Sequence, residues 1–120
     1  PPVMQFCRTT TEDVTIRGVD IPAGDKLYLS YLSANRDEDV FDDPNRFDIL
    51  RPNADRHLAF GTGPHFCLGA ALARLQLRCI LTELYTQLPD IELAERPTPM
   101  HSVWFNAINE MPVRTCPVAH

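Results

Sequence analysis

The sequence reads as an α+β segment: a small antiparallel sheet, an irregular stretch, one long buried helix and a terminal hairpin. Three observations carry this. Short runs between Val14 and Leu32 alternate apolar and polar residues, the period of a half-buried strand. From Leu68 to Leu88 apolar residues recur at steps of three and four, the period of a helix. Between them, Asp43 to Ala59 holds neither period and is punctuated by Pro44 and Pro52.

The elements follow in order. Val14-Thr15-Ile16 and Val19-Asp20-Ile21 alternate around the turn residues Arg17-Gly18, which predicts two antiparallel strands. Pro22-Ala23-Gly24-Asp25 is a second turn signal, and Lys26 to Leu32 reads as a third strand of the same sheet. The acidic run Asp37-Glu38-Asp39 with Asp42-Asp43 predicts a short exposed helix and its exit, a solvated face. An irregular stretch as long as Asp43–Ala59 is uncommon inside a domain. Phe47, Ile49 and Leu50 predict that it is packed. The helix carries two apolar stripes, Leu68, Leu72, Leu75, Cys79 and Leu77, Leu81, Leu84, Leu88. Two stripes predict burial over most of its circumference, and Pro89 ends it. In the tail, Val103-Trp104-Phe105 and Met111-Pro112-Val113 predict the hairpin.

Composition bounds the function. The chain has 120 residues, 44% apolar and 22% charged, with a net charge of -5. That acidic balance argues against a nucleic-acid partner and against a polybasic membrane contact. No apolar run has the length of a membrane span, and no basic-then-apolar leader opens the chain, so the expected location is cytoplasmic. The Pro1-Pro2 opening, without Met, predicts an incomplete translation product. Cys7, Cys67, Cys79 and Cys116 lack the paired spacing of a zinc ribbon or a redox disulfide. They read as reduced thiols, at most one of which does chemistry. Ten of the eleven basic residues are Arg, and five of them (Arg46, Arg51, Arg56, Arg74, Arg78) bracket Cys67. Arg presents a rigid fork suited to carboxylates; each one singly also fits a solvated surface.

The chemistry concentrates in Phe60-Gly61-Thr62-Gly63-Pro64-His65-Phe66-Cys67-Leu68-Gly69, with the long helix directly after it. Glycines in a tight loop adopt backbone conformations closed to other residues and let a large flat group come close. A cysteine at a helix start faces unpaired N–H groups and the positive end of the dipole, which stabilise negative charge on sulfur. The loop therefore presents a thiolate, and thiolates serve as axial ligands of haem iron. Other readings compete. A dinucleotide-binding fingerprint fails, because five residues and not two separate Gly63 from Gly69. A zinc site would draw on His57, His65 and Cys67, with no common spacing and no evident fourth ligand. A reactive nucleophilic cysteine fits the helix start but lacks a base and an orienting group. The bland alternative is a buried cysteine beside a glycine turn.

The ten-residue pattern resembles the haem-binding loop of the cytochrome P-450 family: Phe, Gly, any, Gly, any, His or Arg, any, Cys, any, Gly. Every fixed position matches. Ser33-Ala34-Asn35-Arg36-Asp37, Pro44-Asn45-Arg46-Phe47-Asp48 and Ala70-Ala71-Leu72-Ala73-Arg74 also look like segments of bacterial members, so the likeness covers essentially the whole chain. The resemblance implies that residues 1–120 are the C-terminal haem-binding segment of a single, mainly α cytochrome P-450 domain. It further implies haem b as cofactor and Cys67 as the iron ligand. Phe60 would be the aromatic shielding that ligand, and Gly61 and Gly69 motif glycines of the haem loop. His65 and Arg8 would hydrogen-bond a haem propionate, where a buried carboxylate calls for a donor or cation. Arg46 would pair with a Glu-x-x-Arg motif, which in the family comes earlier in the chain and is missing from this sequence. Val3, Met4, Val103, Trp104 and Phe105 would face an apolar small molecule, though core packing explains each equally well. Arg74 and Arg78 would meet an acidic electron-transfer partner.

The implied activity is a monooxygenase that inserts one oxygen atom from dioxygen, with electrons from NAD(P)H through ferredoxin and ferredoxin reductase. Two features depart from the family pattern: Gln76 stands where many bacterial members have Glu, and the distal helix with its acidic residue and Thr is missing. A truncated or split haem-binding remnant without catalysis is the competing expectation, and the isolated 120-residue chain is predicted to be inactive. Asn35 to Phe41 and the tail Cys116-Pro117-Val118-Ala119-His120 look like members that oxidise sterol or lipid side chains.

Overall fold

The structure is a computed structural model that describes residues 1–115; the tail Cys116-Pro117-Val118-Ala119-His120 lies outside the described residues. The chain forms two compact units, one of Pro1–Ala59 with Val103–Phe105, the other of Phe60–Ser102 with the chain after Phe105.

In the first unit, β2 (Val14–Ile16) and β3 (Val19–Ile21) form the expected hairpin. Its turn places Arg17 at φ 49° and Gly18 at φ 80°, the two positive φ values that match the twist of a two-residue hairpin. The third strand corrects the sequence reading. Lys26–Ser30 (β4) pairs antiparallel with Gln5–Thr9 (β1), with Cys7 opposite Tyr28, and β2–β3 stand as a separate two-stranded sheet. β1 carried too little alternation to be read as a strand; its register comes from a partner about twenty residues on, which no local period reports.

β4 also stops two residues early. Ser30 takes an N-cap conformation and its hydroxyl accepts from the Ser33 N–H at 3.2 Å. A four-residue helix α1 (Tyr31–Ala34) follows. The short helix therefore precedes the acidic run, and Asp37–Asp43 is turn. There the Asp37 carboxylate accepts from the Asp39 N–H at 3.0 Å, and the Asp37 carbonyl from Val40 and Phe41. Asp prefers such local bonds to helix continuation. Tyr31 and Phe41 are the buried side chains of this unit, with Phe6 edge-on to Tyr31 at 6.0 Å.

The stretch from Asp43 to Ala59 is irregular as expected, with a single 3-10 turn at Ala54–Arg56. Its packing is not as expected. Phe47, Ile49 and Leu50 are 92%, 79% and 84% exposed, and what holds the stretch is polar. The Arg51 guanidinium donates to the carbonyls of Asp42, Asp43 and Arg46 and lies over the Phe41 ring at 6.0 Å. Asn53 donates to the Val40 carbonyl at 2.6 Å, and Asn35 accepts from the Leu58 N–H at 2.7 Å. Main-chain groups in irregular structure need such partners.

In the second unit the expected helix is α2, Ala70–Gln87. It ends at the Leu88 C-cap, one residue before Pro89, because the residue before a proline is disfavoured in helical conformation. Burial over most of the circumference does not hold. Ala70 is the one buried residue of α2, and Leu72, Leu75, Leu77, Ile80 and Leu81 are exposed. The stripes record burial that the described residues do not supply. The terminal hairpin is also corrected: Val113–Arg114 (β8) pairs with Glu92–Leu93 (β5), and Ile108–Glu110 (β7) with Thr98–Pro99 (β6). Val103–Phe105 instead runs along the chain start in the first unit, with Phe105 bridged to Val3. Among the described residues, no helix is long and apolar enough to cross a membrane.

Candidate functional site: the cysteine loop

The loop from Phe60 to Gly69 closes on its own main chain. The Cys67 N–H donates to the Phe60 carbonyl at 2.9 Å, and the Phe66 N–H to the Gly63 carbonyl at 3.0 Å across the 3-10 turn Gly63–His65. Gly61 and Gly63 sit at φ 72° and 66°, the left-handed region where a Cβ is strained. These two glycines let the chain reverse tightly enough for residues 60 and 67 to bond. The Cys67 carbonyl then accepts from Ala70 at 3.2 Å, and Gly69, the α2 N-cap, accepts from Ala73 at 2.9 Å.

Cys67 thus stands three residues before the first residue of α2, where the sequence reading began the helix at Leu68. Its thiol is free and exposed. A Cβ on Gly69 would sit 3.9 Å from the sulfur, in ordinary contact, so the glycine keeps a methyl from standing beside it. Behind the loop, the rings of Phe60 and Phe66 tilt against each other at 6.3 Å, and the Arg74 guanidinium lies over Phe60 at 4.8 Å from the ring centre.

His65 ends the 3-10 turn, exposed and two residues before Cys67. Arg8 lies on β1 of the first unit; its guanidinium donates to the Cys7 carbonyl at 3.0 Å and stands 5.9 Å from the Phe6 ring centre. Val3, Met4, Val103, Trp104 and Phe105 are brought together in that unit. Phe105 is bridged to Val3, the Met4 N–H donates to the Trp104 carbonyl at 2.9 Å, and the Gln5 side chain donates to the Val103 carbonyl at 2.9 Å. Val103, Trp104 and Phe105 keep large exposed apolar surfaces. Arg74 and Arg78 are exposed on one face of α2, one turn apart. Arg46 is exposed, and its carbonyl accepts from Arg51 at 3.1 Å.

Two features escaped sequence reasoning. Arg51 as the tie of the irregular stretch had no signal beyond being one of five arginines. Gln5 as the link to Val103 had none. The zinc reading finds no support, since among the described residues no three His, Cys, Asp or Glu side chains converge on a metal-sized site.

The site is one exposed cysteine sulfur on a glycine-jointed loop before a long helix. Comparison with known proteins gives the family. The cytochrome P-450 profile matches residues 1–88, and the chain belongs to the cytochrome P-450 family. It is 45% identical over 126 residues to the steroid C26-monooxygenase of Rhodococcus jostii, covering 99% of this chain and 26% of that protein. It is 47% identical over 113 residues to the methyl-branched lipid omega-hydroxylase of Mycobacterium tuberculosis, covering 93% and 26%. The crystallised cytochrome P-450 of Mycobacterium marinum in complex with pseudoionone superposes with a TM-score of 0.87 at 47% identity, covering 93% and 27%. The chain therefore spans about a quarter of the length of these relatives, and its α+β architecture is that of part of their fold. The family's cofactor is a haem, and the loop fits one: an exposed sulfur, positive-φ glycines that flatten its approach, and no side chain at Gly69.

Proposed function

We propose that this chain is the thiolate-bearing segment of a monooxygenase that oxidises an apolar small molecule, with Cys67 as the ligand of haem b. The observation that carries the reading is the exposed Cys67 sulfur on a loop whose Cys67 N–H is tied to the Phe60 carbonyl. That bond restrains the ligand's backbone and keeps the sulfur on the outside of the loop. Haem held there by Cys67 would supply the iron chemistry that activates dioxygen, and the cysteine sulfur would contribute electron density to it.

The remaining residues bind and orient. Phe60 shields the ligand, and Gly61 and Gly69 let the flat ligand come close. His65 donates to a propionate, and Arg8 pairs with one. Exposed Val103, Trp104 and Phe105, with Val3 and Met4, offer apolar surface to the substrate. The relatives' names, a steroid C26-monooxygenase and a methyl-branched lipid hydroxylase, favour a sterol, terpenoid or lipid side chain. Electrons reach the site from NAD(P)H through ferredoxin and its reductase, with Arg74 and Arg78 meeting the acidic partner, and the protein works in the cytoplasm. Rim charges of this kind act mainly on association rate, so Arg74→Glu slows reduction by ferredoxin most at low salt. Identical low-salt kinetics would remove Arg74 from that role.

The deciding experiment is the spectrum of the reduced, carbon monoxide-bound intact protein. The wild type should give the red-shifted band of thiolate-ligated haem, and Cys67→Ser should lose it. A Cys67→Ser protein that keeps the band has another ligand, and the proposal fails.

A further inference from the structure

We infer that Arg74 is a positioning residue for the Cys67 ligand, acting through the ring of Phe60; the inference rests on the haem-thiolate reading above. The geometry points there because one residue, Phe60, joins three parts of the site. Its carbonyl holds the Cys67 N–H at 2.9 Å. Its ring meets Phe66, the neighbour of Cys67, at 6.3 Å. Its ring face also receives the Arg74 guanidinium at 4.8 Å from the centroid, well inside the roughly 6 Å reach of a cation–π contact. Arg74 lies on the second turn of α2. The contact therefore ties the helix that follows the cysteine to the residue that begins the loop. The loop is closed twice, once by main chain and once by this side-chain clasp.

A guanidinium so placed does two things. It restricts the Phe60 ring, and with it the carbonyl that fixes the ligand's backbone. Held by the ring, it also keeps a permanent positive charge beside the loop, which would favour the more negative, reduced state of a thiolate-bound haem iron. Neither effect needs a protein partner, so the role differs from docking an electron donor.

The test is a redox titration of the intact, haem-loaded protein with small-molecule mediators and no protein partner. Arg74→Gln should move the ferric–ferrous equilibrium about threefold toward ferric, the scale of an exposed cation–π contact. Arg74→Lys, which keeps the charge over the ring, should recover most of that shift. Arg96→Gln removes the same charge from an exposed loop position of this unit and should leave the equilibrium alone. In a Phe60→Leu background, which removes the ring, Arg74→Gln should add little.

An Arg74→Gln equilibrium equal to wild type overturns the inference. So does an equal shift in Arg96→Gln, which would make the effect one of overall charge, or an undiminished shift without the Phe60 ring. Should Arg74→Gln fail to hold haem, restoration by Arg74→Lys supports the clasp and its failure overturns it. The parent reading fails separately: a wild-type protein without the thiolate carbon monoxide band sinks both. A normal wild-type band with an unmoved Arg74→Gln equilibrium sinks this inference alone.

Discussion

The irregular stretch from Val40 to Leu58 and the cysteine loop from Phe60 to Gly69 solve the same problem in different ways. Each is a length of chain outside regular structure whose main-chain polar groups need partners. In the first, main-chain turns such as Arg46–Asp43 and Ala54–Arg51 are supplemented by side chains: Arg51 donates to three carbonyls, Asn53 to a fourth, and Asn35 and Asp48 accept from Leu58 and Leu50. In the second, main chain bonds to main chain at Cys67–Phe60, Phe66–Gly63 and Ala70–Cys67. That closure depends on two glycines at positive φ. A loop closed by its side chains has committed them to itself. A loop closed by its backbone leaves side chains, here a sulfur and an imidazole, free to meet a ligand.

The comparison can be broken or sharpened by experiment. The largest effect should come from separating both regions from the rest of the protein. The exposed Phe47, Ile49 and Leu50 beside one, and Leu68, Leu72 and Leu75 beside the other, form apolar surface of the kind that drives association. Residues 1–120 expressed alone and supplied with haem should aggregate and turn over no substrate. A soluble monomer that melts cooperatively and hydroxylates would show that neither region needs more chain.

Next comes Arg51→Ala. It strands three carbonyls and uncovers Phe41, at a cost of about 3 kcal/mol for charge-assisted bonds in a half-buried setting. Denaturant unfolding of the intact protein measures it, and a loss under about 1 kcal/mol would mean that the stretch is not held by this side chain. The cysteine loop should respond differently. His65→Ala removes the side chain proposed to hold a propionate and no loop bond, so haem should dissociate about tenfold faster while the melting midpoint of the apo protein stays put. An unchanged dissociation rate would take His65 off the propionate. The smallest effect is Gly63→Ala, which forces a Cβ into φ 66° at about 1 kcal/mol. Open space surrounds that Cβ, so the cost is conformational alone, and a variant as stable as wild type would show that the turn relaxes.

Reading the sequence succeeded where the signal was contiguous. The loop motif, the α2 helix and the β2–β3 hairpin all declare themselves within about a helix length or less. Gly61 and Gly63 fall where the motif puts them, at positive φ values that strain a residue carrying a Cβ. The reading failed over longer separations. Strand β4 was assigned to the wrong sheet, the tail hairpin does not form, and Phe47, Ile49 and Leu50 are exposed where packing was expected.

What the sequence by itself determined, then, is the cysteine loop, its two glycine joints and the helix behind it, because backbone sterics and helical period act between near neighbours. Tertiary structure alone decided that Gln5–Thr9 is a strand, that Val103–Phe105 runs beside Val3 and Met4, that Arg51 ties three carbonyls and that Arg74 covers Phe60. Strand pairing and side-chain reach depend on which distant segment arrives alongside. No local period encodes that arrival, since the same alternation or the same arginine is compatible with several partners until the chain has folded.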